Sequence, residues 1–165
     1  MTNYKADLID LRKAYIEATP KQRLNIALQR INNPSDGCNM LVAYVSALEG
    51  FARCIAMHQA THSKAELSTI YPTFRKMGAE KLVERYLQKK IKKDAQSYFG
   101  RDIWEKIGFA LDYRNLIAHE CTYLGQDKYP TLIRACEHVL RKLAELEGLP
   151  GSIPGRIRKT LGGCR

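Results

Sequence analysis

Hydrophobic positions along this chain recur every three or four residues, and the alternation that marks strands is almost absent. The first such run spans about Tyr4 to Ala18, with Leu8, Leu11, Ala14, Tyr15 and Ala18 on one side. Thr19-Pro20-Lys21-Gln22 then reads as an N-cap, a proline at the first helical position and a capping-box glutamine. It opens a second helix to about Asn32, closed by the turn sequence Asn33-Pro34-Ser35-Asp36-Gly37.

A central helix is expected from about Cys38 to Thr61. Its segment Met40 to Met57 is the most apolar run in the chain. Ser46, Glu49, Gly50 and Arg53 within that run argue for a helix buried in a bundle and against a membrane span. Ser63-Lys64-Ala65-Glu66 predicts a capping box for a short helix that Tyr71-Pro72 interrupts. From about Gly78 to Tyr98 the pattern is helical again, with Leu82, Val83, Tyr86, Leu87 and Ile91 inward and Gly100 as the stop.

A helix from Ile103 to about His119 follows, then a loop with Gly125, Asp127 and Pro130, then a last helix from about Thr131 to Glu147. The sum is an all-α bundle of about five to seven helices, one domain over residues 1–147, with a basic tail over 148–165. A chain of 165 residues is long enough to bury one full core.

Charge narrows the partners. The formal net charge is +10, a field that attracts polyanions, nucleic acid first. Lys89, Lys90, Lys92 and Lys93 form a dense basic run, and Arg156, Arg158 and Lys159 make the tail basic. The lysine run reads either as a solvated helix face or as a phosphate track for RNA, and the tail either as a disordered end or as an arm that clamps RNA backbone. Five cysteines at irregular spacing, without a CxxC pair, fit a reduced, cytoplasmic chain. The polar N-terminus does not read as a signal peptide. Cys54, His58 and His62 share a helical stripe, but no fourth ligand is evident, and no metal or other cofactor is expected.

The chemistry concentrates in Arg114-Asn115-Leu116-Ile117-Ala118-His119. An imidazole moves protons near neutral pH, and a guanidinium holds two phosphate oxygens. Asn115 and His119, four apart, stack on one helix face, and Arg114 lies about 100° round from Asn115. Ile107, Phe109, Ala110, Leu111, Leu116, Ile117 and Ala118 are expected to supply the core face of this helix. The residues suit metal-independent RNA cleavage, in which a 2′-OH attacks the adjacent phosphorus. The same three groups also suit a plain helix end, where cations meet the negative pole of the macrodipole. Glu49, among Val45, Leu48, Phe51 and Ala52, needs a partner. Arg53, four residues on, and Arg114 are the two candidates.

Arg114-Asn115-x-x-x-His119 resembles the Arg-polar-x3-His signature of the HEPN superfamily. Glu49 in an early buried helix resembles the acidic position that such proteins often carry. The likeness covers roughly Cys38 to Leu146. It implies a helical bundle that dimerises through the motif helices, and a metal-independent endoribonuclease of the toxin or phage-defence kind. In that picture Arg114 and His119 are the catalytic pair, Asn115 assists and Glu49 supports. An antitoxin or regulatory partner is a further expectation. Cys121 stands where toxins paired with a nucleotidyltransferase antitoxin commonly carry a tyrosine. The alternative is a non-catalytic module of the same fold that binds nucleic acid or a partner protein. A DNA-binding regulator is a weaker fit, for want of a helix-turn-helix pattern.

Overall fold

The computed structural model describes Lys13 and residues 16–32, 37–120 and 126–150. Among them are seven α-helices and no strand: α1 (Pro20–Asn32), α2 (Gly37–Ala60), α3 (Lys64–Arg75), α4 (Ala79–Ile91), α5 (Ala95–Phe99), α6 (Arg101–Glu120) and α7 (Tyr129–Leu146). The expected helix over Tyr4 to Ala18, the turn at 33–36, the loop at 121–125 and the tail beyond 150 lie outside the described residues, except that Lys13, Ile16 and Glu17 are helical.

α2 is the axis of the fold. It packs against α1, α3, α4, α6 and α7, so nearly every element touches it. Leu41, Val45, Leu48, Phe51, Ala52 and Ile55 are fully buried along it. By length and composition the stretch Asn39–Ala60 is apolar enough to cross a bilayer, yet most of it is buried inside the bundle. α7 covers α2 with Ile133, Cys136, Val139, Leu140 and Leu143, the stripe anticipated from its periodicity.

Local signals account for several helix ends. At α1 the capping box is formed: Thr19 N–H donates to Gln22 Oε1 at 2.9 Å, and Gln22 N–H donates to Thr19 Oγ1 at 3.3 Å. α7 ends in a Schellman turn. Gly148 takes φ +67°, its N–H reaches Glu145 O, and Leu149 N–H reaches Ala144 O.

Three expectations are corrected. Ser63 caps α3 with no side-chain bond, because Glu66 accepts from Thr61 Oγ1 instead, and that hydroxyl accepts Ser63 N–H at 3.2 Å. Pro72 does not interrupt α3. The helix runs on to Arg75, since Leu67 and Phe74 are both buried and pull the segment onto the core. The carbonyl of Ser68, which Pro72 cannot satisfy, lies on an exposed turn where water can reach it. The single helix expected over Gly78 to Tyr98 is two. Lys92 adopts the left-handed conformation at φ 57° and ends α4. Asp94 then starts α5 by accepting Ser97 N–H at 2.8 Å, a cap strong enough to divide a continuous-looking basic run.

Candidate functional site: the inner and outer sides of the motif helix

α6 begins after Gly100, whose φ of +91° lets the chain reverse between α5 and α6. Trp104, Ile107 and Ala110 are its buried residues, with Trp104 stacked on Phe99 at 5.9 Å. Their direction defines the inner side, which faces α2 and α7.

Arg114 lies on that inner side. Its Nη2 donates to Glu49 Oε2 of α2 at 2.9 Å, and its side chain is 25% exposed. Glu49 is also bonded along its own helix, its Oε1 accepting from Arg53 Nη2 at 2.6 Å. The two candidate partners of Glu49 therefore coexist, one on each carboxylate oxygen. Arg53 Nε donates onward to the carbonyl of Phe74 at 3.4 Å, close to the C-terminal end of α3, where a cation is favoured. A chain of charge-assisted bonds thus joins α3, α2 and α6. Two guanidiniums surround one carboxylate, so the group keeps one positive charge. Arg114 Nε is buried and makes no hydrogen bond among the described residues.

Asn115 and His119 lie elsewhere. Both are exposed, and the His119 imidazole makes no hydrogen bond or ion pair with a described residue. Arg114 and His119 are five positions apart, about 140° round the helix. The structure brings Asn115 and His119 onto one outer face and leaves Arg114 on the other side of the same helix.

The outer side is apolar where a core was expected. Phe109 is 57% exposed and Leu116 41%, the two large hydrophobic side chains on the surface of the described residues. They are seven residues apart, hence nearly in line, and Leu116 is three residues before His119. Ala118 is exposed as well. Phe109 and Leu116 leave the core face because the helix phase is set by Ile107 and Ala110, and apolar character alone does not set it; Ala118, nearly in phase with Ile107, is exposed close to the end of the helix.

Among Lys89, Lys90, Lys92 and Lys93, two ammonium groups are engaged by the chain itself. Lys89 Nζ donates to Gln59 O at 2.5 Å, and Lys90 Nζ to Glu147 Oε1 at 3.1 Å, the same oxygen that accepts the Tyr86 hydroxyl at 2.6 Å. Lys92 and Lys93 are exposed. Arg156, Arg158 and Lys159 lie outside the described residues. Cys54 Sγ and His58 Nε2 both meet the carbonyl of Ala18, at 3.3 and 3.1 Å, and so anchor the segment before α1, while His62 is exposed. No group of three metal-ligating side chains occurs among the described residues.

No family model, no curated protein and no solved structure matches the chain.

One basic face escaped the sequence reading. Arg134, His138, Arg141 and Lys142 follow a single stripe of α7 on the side away from its core residues, a stripe that also carries Glu145, ion-paired to Lys142 at 2.9 Å. Burial, and then the charges of Arg141 and Lys142, push the His138 imidazole below its ordinary range. The i, i+4, i+7, i+8 spacing was the available signal.

Proposed function

We propose that this chain is a HEPN-type, metal-independent endoribonuclease of the toxin or phage-defence kind, cytoplasmic, and active as a homodimer that meets through its α6 helices. One observation carries the reading. An Arg-x4-His pair sits on one helix, with the arginine oriented by a carboxylate from the central helix and the histidine exposed beside an apolar stripe. Phe109 and Leu116 give a second α6 something to cover, and covering them would bring two copies of Asn115 and His119 together. The defence role rests on the resemblance of the motif alone.

The chemistry follows from the groups. The imidazole of one His119 takes the proton of a ribose 2′-OH. The 2′ oxygen bonds to phosphorus, and the bond to the 5′ oxygen breaks. The imidazolium of the second His119 gives its proton to that leaving oxygen. Asn115 orients the imidazole or bonds the phosphate, and Arg114, about 140° round the helix from His119, would reach round from the inner side with its long side chain to stabilise the charge that builds on the phosphorane oxygens. The products carry a 2′,3′-cyclic phosphate and a 5′-OH. Lys92, Lys93, the engaged Lys89 and Lys90, and the basic tail at Arg156, Arg158 and Lys159 would follow the RNA backbone. An antitoxin or other regulatory protein would restrain such an enzyme in its cell.

A second reading is a non-catalytic HEPN-like adaptor that binds nucleic acid or a partner protein. The observation in its favour is the separation of Arg114 and His119 on opposite sides of α6 within one copy.

The test is RNA cleavage by the purified chain in the presence of a chelator, with end-group analysis of the fragments. Cyclic-phosphate ends that vanish in both Arg114→Ala and His119→Ala support the enzyme. RNA binding without cleavage, together with harmless expression in bacteria, supports the adaptor.

A further inference from the structure

The unpaired Arg114 Nε has a physical explanation in its neighbour's neighbour. Nε and Nη2 lie along one edge of a guanidinium, the edge that meets both oxygens of a carboxylate in a two-bond fork. Arg114 uses only half of that edge: Nη2 reaches Glu49 Oε2, while Nε is buried and unbonded among the described residues. The oxygen that would complete the fork, Glu49 Oε1, is held at 2.6 Å by Arg53, whose Nε is itself tied to the carbonyl of Phe74. Arg53 is 12% exposed in its side chain, so it is fixed by packing as well as by these bonds.

We infer that Arg53 is a positioning residue: by occupying Glu49 Oε1 it keeps the Arg114–Glu49 pair at a single bond, so that Arg114 retains net positive charge for a phosphodiester. This rests on the ribonuclease reading for its consequence in catalysis, though not for its geometry. Without Arg53, Glu49 is free to turn both oxygens to Nε and Nη2. The result is a neutral, two-bond pair in which the motif arginine is spent on its own protein. Glu49 thus orients Arg114, and Arg53 prevents that orientation from becoming neutralisation.

The inference predicts suppression, which a merely structural role does not. Arg53→Ala lowers kcat on an RNA oligonucleotide by about 10–100-fold with little change in KM. Arg53→Lys, which keeps one donor for Oε1, retains most of the activity. Adding Glu49→Gln to Arg53→Ala recovers most of the loss, because a neutral amide cannot neutralise Arg114. Wild-type kcat in Arg53→Ala, or a double variant no better than the single one, overturns the inference while leaving the ribonuclease reading in place. The second readout is the side-chain 15N signal of Arg114 Nε, followed with and without a 2′-O-methyl oligonucleotide, which cannot be cleaved. It should move in Arg53→Ala as the fork closes, lose its response to the oligonucleotide, and regain both in the double variant. Absence of cleavage by the wild type removes the ribonuclease reading, and the Nε signal still decides the role of Arg53: an unchanged signal in Arg53→Ala overturns it.

Discussion

The inner and outer sides of α6 differ in how their functional groups are held. Arg114, on the inner side, is braced through Glu49 and Arg53 to two other helices. Asn115 and His119, on the outer side, project from the surface beside exposed Phe109 and Leu116. A phosphate-binding cation is most useful when its orientation is fixed before substrate arrives. A proton-transferring imidazole needs access to the reacting oxygens. One copy of the chain supplies a braced arginine and an unbraced histidine, and on the proposed reading a second copy would complete the outer side.

The largest effect should fall on activity from the outer side. His119→Ala is expected to reduce RNA cleavage by roughly 10²–10⁴-fold, the usual worth of a general acid or base. Its unfolding free energy in urea should stay within about 0.5 kcal/mol of wild type, as for other exposed positions. A large stability loss would show that His119 has a structural role and would dissolve the contrast.

Next comes the apolar stripe. Phe109→Asp combined with Leu116→Asp should abolish self-association in sedimentation and reduce cleavage in parallel. The monomer's thermal unfolding should change little, because neither side chain contributes to the core. Dimers that persist in this variant would move the interface away from α6.

The inner side is tested by stability. Glu49→Ala leaves two half-buried guanidiniums facing each other, and the expected cost is about 2 kcal/mol, discounted for partial solvent access. Glu49→Gln should cost less, since the amide oxygen still accepts one bond. Equal stability of all three proteins in denaturant titrations would mean that the brace carries no load.

The smallest effect is the contrast in chemical access. Burial pushes the thiols of Cys54 and Cys136 up to about 12, so little thiolate exists in the folded chain at pH 8 and neither should alkylate there. Above about pH 8.5 the unfolded chain releases these protons and the folded chain does not, so stability should fall as pH rises. Diethylpyrocarbonate should modify exposed His119 before His58, which is bound to the Ala18 carbonyl. Mass spectrometry of brief labelling reads both.

What the sequence made legible was local. The Thr19–Gln22 box, the extent of α2, the motif helix and the buried stripe of α7 follow from spacing within one segment. What it hid was decided between segments. Glu66 is drawn to Thr61, so the Ser63 box does not form. Asp94 and Ser97 divide a helix that a lysine run made look continuous. Phe109 and Leu116 read as core because they are apolar, yet the packing of Ile107 and Ala110 turned them outward. Arg53 and Arg114 looked like rivals for Glu49 because the sequence cannot show that each takes a different oxygen. The all-α bundle was legible for the same reason that the site's geometry was not: periodicity describes a helix and says little about what its faces meet.

Whether the outer side of α6 becomes a site when two copies meet is decided by measuring cleavage of one RNA, per chain, while protein concentration is carried through the monomer–dimer midpoint. Activity per chain is expected to rise with the dimer fraction and to be absent throughout in His119→Ala. Activity per chain that stays constant down into the monomeric range would contradict it.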